Sequence, residues 1–174
     1  MMHRTIIFIC GLLGLALTSC LNPETYPETP WIGYNQMIVM SDSLRIDIDF
    51  TDGDGDIGLS PSDTTDEYAL GSRFYFNLFL EYWEWNHDIQ QWERGYTVQG
   101  DPIEFNNRIP VITPSGRNKA LNGVIRATIE PIYYDPSSPY SDTIRYRIQL
   151  ADRSLKTSEW ITTPEIWNGV VQPQ

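Results

Sequence analysis

The stretch LRIDIDFTDGDGDIGL, residues 44–59, decides the fold. Its first eight residues alternate, with Leu44, Ile46, Ile48 and Phe50 on one side and Arg45, Asp47, Asp49 and Thr51 on the other. That is the period of a strand with one buried face. A slip of one residue would turn all four apolar side chains to solvent, so the register is pinned, with Asp47 expected on the solvent side. From Asp52 the pattern changes: acids at 52, 54 and 56 are separated by single glycines, which end the strand in a tight loop.

Working outward, Met37 to Met40 is a short apolar run joined to this strand through Ser41-Asp42-Ser43, as in a hairpin. Arg73 to Trp85 (RFYFNLFLEYWEW) is the longest extended candidate. It places Phe74, Phe76, Leu78, Leu80 and Tyr82 on one face, and its aromatic content favours a strand over a helix. Further strands are expected over Trp92–Val98, Ile109–Ile112, Val124–Glu130, Thr143–Leu150 and Glu159–Ile166, with Pro131 ending one and Pro164 interrupting the last. The expected core is Ile46, Ile48, Phe50, Phe76, Leu78, Leu80, Ile125, Ala127, Ile129, Ile144, Tyr146 and Ile148. Seven or eight strands with turns between them describe an all-β, two-layer antiparallel sandwich. Ig-like order is the commonest assignment for that count, with a jelly roll or a small barrel as alternatives.

The chain has 174 residues, 12 Lys and Arg against 23 Asp and Glu, and a net charge of -11, so it has no basic field to neutralise phosphates and nucleic acid is excluded as a partner. Its N-terminus has a separate reading. Arg4 precedes the twelve-residue apolar run Ile6–Leu17, too short to span a bilayer, which needs about 20 residues, and typical of a secretory leader. Leu17-Thr18-Ser19-Cys20 then resembles the lipobox of bacterial lipoproteins. The resemblance implies cleavage after Ser19, a diacylglycerol on the Cys20 thiol, palmitate-type acylation of the new amine, and attachment to the lipid bilayer of the envelope, at the outer membrane. Residues 1–19 are thus expected as a signal peptide, 20–33 as a proline-rich tether and 34–174 as the sandwich domain. Cys10 and Cys20 are the two cysteines, so the domain itself has no thiol and no disulfide.

The Asp-Gly loop is the strongest site signal. Carboxylates at 52, 54 and 56 can turn inward on one cation, and calcium prefers six to eight hard oxygens. Counting from Asp52, Gly58 stands where a backbone carbonyl is wanted and Asp63 at the twelfth position. The departures from an EF-hand are plain: Ile57 replaces its glycine, Asp63 its glutamate, and a strand precedes the loop. The competing reading is a tight acidic turn. If strands run in Ig-like order, the loops after Thr51 and Leu150 share one end of the sandwich, and Asp152 becomes the distant candidate ligand. The segment 42–67 holds nine acids against Arg45, a self-repulsion that a cation would offset.

A second cluster, Trp83, Trp85, Trp92 and Tyr96, sets flat rings among polar residues as a glycan contact would, although core or loop packing is the commoner role of tryptophan. His87 is the one histidine outside the leader, and neither Gly-x-Ser-x-Gly nor His-Glu-x-x-His is present, which favours a binding module over an enzyme. A carboxylate-pair glycoside hydrolase is the catalytic alternative.

The lipobox, the strand followed by DGDGDIGL, and the late stretches Asp142–Ser154 and Ile161–Ile166 together resemble uncharacterised lipoproteins of Bacteroidota. That resemblance implies an exported Ig-like β-sandwich with an envelope protein or glycan as partner, and brings no reaction with it.

Overall fold

A computed structural model describes residues 25–112, 114 and 116–173. The leader and Cys20 lie outside the described residues. Nine strands form among the described residues: β1 (Trp31–Val39), β2 (Leu44–Asp52), β3 (Leu78–Asn86), β4 (Gln91–Arg94), β5 (Leu121–Ile129), β6 (Thr143–Leu150), β7 (Ile161–Thr162), β8 (Ile166–Trp167) and β9 (Val170–Val171). They make a three-stranded sheet in the order β1-β2-β5 and a six-stranded sheet in the order β4-β3-β6-β8-β9, with β7 also paired to β6. The fold is an all-β, two-layer antiparallel arrangement.

The alternation read from residues 44–51 is the reason β2 sits at the centre of the smaller sheet. Leu44, Ile46 and Ile48 are wholly buried, and they pair with Ile129, Ala127 and Ile125 of β5. In the larger sheet Leu78, Leu80 and Tyr82 pair with Leu150, Ile148 and Tyr146. The two inner faces meet in one hydrophobic cluster. Buried tyrosines need partners for their hydroxyls. Tyr82 donates to Glu84 Oε1 at 2.8 Å, and Tyr146 donates to the Tyr133 carbonyl.

Several expectations are corrected. The Arg73–Trp85 strand is shorter: Arg73–Tyr75 is a 3₁₀ turn and β3 begins at Leu78. Phe76, between them, is half-buried rather than in the core. Ile109–Ile112 forms no strand and is instead bridged at Pro110 to Leu59. Of Trp92–Val98 only the beginning is extended, in β4. The expected last strand is broken into β7 and β8, and β9 follows it.

The expected tether also gives up residues 31–33 to β1, where Ile32 pairs with Phe50 and is 2% exposed. The chain before it is docked too. The Gly53 amide donates to the Pro27 carbonyl at 2.9 Å, and Tyr26 Oη accepts from Asn122 at 2.9 Å.

Asp47 is buried, not solvent-facing, at 2% exposure. It lies opposite Gln36 and Arg126 on the flanking strands. Gln36 Nε2 donates to it at 2.7 Å, and Arg45 pairs with it at 3.1 Å. Long side chains on three sides cover the short one, which alternation alone cannot show.

Ile48→Ala should therefore cost about 2–5 kcal/mol, and Asp47→Ala about 0.5–1.5 kcal/mol through loss of its hydrogen bond from Gln36 and its pairing with Arg45, partners that can turn to water. Urea denaturation of the two variants beside the parent checks both. An Asp47→Ala chain as stable as the parent would contradict the buried network.

Candidate metal centre

β2 ends at Asp52 and β6 at Leu150, and the loops that follow meet at a bridge between Ile57 and Asp152. Their carboxylates converge there. One oxygen each from Asp52, Asp54, Asp56 and Asp152 lies within 4.8 Å of the others. Asp52 is 0% and Asp152 2% exposed, and Asp54 and Asp56 are half-buried.

Each carboxylate spends one oxygen on holding the loop. Asp52 Oδ2 accepts from the amides of Gly55 at 2.8 Å and Asp56 at 3.1 Å. Asp54 Oδ2 accepts from Lys156 Nζ at 2.8 Å. Asp56 Oδ2 accepts from Ser154 Oγ at 2.7 Å, and Asp152 Oδ1 from the Lys156 amide at 2.8 Å. The other oxygen of all four is buried with no hydrogen-bond partner. Four orphaned anionic oxygens in one place are costly unless a cation or protons satisfy them. Outer hydrogen bonds that fix the ligand orientation are what a metal site requires.

The glycines have identifiable tasks. A Cβ on Gly53 would stand 2.2 Å from the Tyr26 carbonyl oxygen, so the docked N-terminal segment needs a glycine there. Gly55 has φ +70°, and a Cβ on it would meet the Lys119 carbonyl oxygen at 2.2 Å.

The electrostatics follow from this packing. Burial pushes the Asp52 carboxyl from 3.8 to about 6, helped by the charge of Asp54 and opposed by the two amides. Asp152 is raised to about 6, again by burial first, with the Lys156 amide opposing and the charge of Asp56 adding to it. For Asp54 burial also pushes upward, but the hydrogen bond and charge of Lys156 outweigh it and hold the group below 3.8. Lys156 is raised by its bonds to Asp54 and then Glu28.

The structure thus joins Asp52, Asp54, Asp56 and Asp152 and leaves out Asp63. Asp63 is outside the group; its Oδ2 accepts from the Ser60 amide at 2.7 Å, closing a local turn. The Gly58 carbonyl accepts from Arg153 Nε at 3.3 Å. Lys156, which ties Asp54 to Glu28 of the N-terminal segment, was not singled out from sequence. Its position in the loop after Asp152 is the signal that could have found it.

The aromatic candidates lie elsewhere, on the outer face of the larger sheet. Trp83 and Trp85 project from β3, and Trp92 of β4 pairs with Trp85, their rings 5.6 Å apart. Arg145 covers Trp92 at 4.0 Å and Arg147 covers Trp83 at 5.4 Å. Tyr96 is apart from them, bridged to Pro102 and 56% exposed.

Comparison of the chain with family models, curated proteins and solved structures finds no match. The site is therefore read from its geometry.

Asp52 and Asp152 bind more protons folded than unfolded between pH 3.8 and about 6. Their contribution to stability is full below pH 3.8 and is lost as pH rises through about 6. The depressed Asp54 acts only below 3.8, outside that interval. The chelator-treated domain should show a higher urea midpoint near pH 5 than near pH 7, and Asp152→Asn should shrink the difference. An unchanged pH difference in the variant would contradict this account.

Proposed function

We propose that this chain is an envelope-anchored binding module whose loop end is held together by one calcium ion. The observation that carries the metal reading is the set of four buried carboxylate oxygens, one on each of Asp52, Asp54, Asp56 and Asp152, that lack any hydrogen-bond partner. Calcium suits them better than magnesium: it accepts several carboxylates in a loose shell of six to eight oxygens, whereas magnesium keeps most of its waters in a strict octahedron. The ion would join the β2 and β6 loops, and through Lys156 and Glu28 the N-terminal segment as well. Its work here is structural, because binding to the folded state alone raises stability by mass action.

Anchoring is supported by the leader pattern and by Cys20 in its lipobox-like setting. The outer membrane is the proposed location, with an envelope protein or a glycan as the partner class.

Calorimetric titration of the chelator-stripped chain should show about one calcium bound per chain, with a rise in melting temperature. Asp54→Asn and Asp152→Asn should each reduce the heat and the melting shift while leaving the chain folded. No heat and no shift at about 5 mM calcium would remove the metal from this reading.

Mass spectrometry of membrane-extracted protein should find no peptide from residues 1–19 and a lipid-modified Cys20, and Cys20→Ala should release the domain to the soluble fraction. Unmodified Cys20 in the membrane-extracted protein would overturn the anchor.

A further inference from the structure

A groove of about 380 Å³ opens on the outer face of the larger sheet between Trp85 of β3 and Trp167 of β8. His87, Thr143, Glu165 and Gln172 complete its lining. Its volume falls within the range of about 300–1,000 Å³ typical of small-molecule sites.

The Trp85 ring and the backbone that carries Trp167 are held in place before any ligand arrives. Trp85 is half-buried and abuts Trp92 edge-on, and Trp92 is in turn capped by the Arg145 guanidinium. Trp167 is 54% exposed, yet its backbone is clamped between Thr143 and Val170. Asn168 and Gly169, at φ 47° and 77°, close the β8–β9 hairpin in the left-handed conformation that a two-residue turn needs. A large flat ring exposed on a rigid backbone loses little freedom when it is covered.

The polar lining decides what would cover it. The Glu165 carboxylate makes no ion pair or side-chain hydrogen bond among the described residues, the lining itself contains no Arg or Lys, and the nearby Arg145, whose charge Glu165 favours, is turned onto the Trp92 ring. With a chain charge of -11 around it, an anionic ligand would be repelled. An apolar chain would strip water from Glu165 and from the pair of His87 and Asp142, which are 3.0 Å apart, without replacing it. A pyranose ring has a C–H face to lay on an indole and a rim of hydroxyls to donate to a carboxylate.

We propose that this groove binds a neutral saccharide, stacked on Trp167 beside Trp85, with its hydroxyls donating to Glu165 and exchanging hydrogen bonds with Gln172. The proposal rests on the binding-module reading and names the ligand class; it does not depend on the metal centre.

The test uses the full chain in a zwitterionic detergent with calcium present, titrated with β-1,4-linked hexaoses of glucose, mannose, xylose and N-acetylglucosamine and followed by tryptophan fluorescence and calorimetry. Hexagalacturonate and an oligoproline serve as acidic and peptide comparisons. At least one neutral hexaose should bind with Kd below about 1 mM. Trp167→Ala should weaken it about tenfold or more, and Glu165→Gln should weaken it measurably, with the calcium melting shift intact in both variants.

The proposal is overturned if no neutral hexaose binds, if Trp167→Ala binds as the parent does, or if hexagalacturonate or oligoproline binds in preference. Loss of calcium binding with saccharide binding intact would sink only the metal reading. The reverse result would sink only this one.

Discussion

Asp52 closes β2 with its carboxylate fully buried, and much of the loop end of the sandwich is arranged around that one charge. Burying a carboxylate is tolerable only with partners, and two amides satisfy only one of its oxygens. Asp54, Asp56 and Asp152 worsen the problem, since four carboxylates share the space and, among the described residues, Lys156 is the ammonium bonded to one of them, Asp54. The cluster has two ways out. It can take up protons, which is the direction in which Asp52 and Asp152 are pushed, or it can take a divalent ion. Outer hydrogen bonds that hold every carboxylate in place close the loop in either case and suit the second, since they orient the free oxygens together.

The loop around this charge is also closely packed. Gly53 and Gly55 occupy positions that another residue could not fill without displacing Tyr26 or Lys119. The N-terminal segment is drawn against the cluster by Pro27 and Glu28.

The parts of the fold that were legible in the sequence are those where burial alternates cleanly. β2, β5 and β6 each face the core with every second residue, and the limits of β2 and β6 follow from the residues quoted, whereas β5 begins at Leu121, three residues before the expected Val124, and ends at Ile129. Asp47 breaks the rule because long neighbours fold over it, a tertiary effect that periodicity does not encode. β7, β8 and β9 have two residues each, too few to show any period. For the same reason Trp167 and Glu165 escaped notice as site residues, while Trp83, Trp85 and Trp92 stood out by their closeness in sequence. Asp152 was reachable only through topology: it is distant in sequence from Asp52, and the common end of β2 and β6 brings it near. Asp63 was attractive by an EF-hand count, but its short turn uses the carboxylate locally.

β6 also fixes how the two proposed sites relate. Thr143 at its start lines the groove, and Asp152 just past its end belongs to the acidic cluster. At about 3.3 Å per residue the strand separates them by roughly 25–30 Å, nearly the length of the sandwich. The N-terminal segment docks at the acidic end, where Pro27 meets Gly53. Cys20 precedes Tyr26 by six residues, at most about 20 Å of extended chain. Under the proposed anchoring, the metal end of the domain therefore stays close to the lipid and the groove points away from it. Such an arrangement would divide the labour physically: a bound ion would stiffen the end that bears the proposed anchor, and the Trp85–Trp167 groove would be presented where a ligand outside the bilayer could reach it.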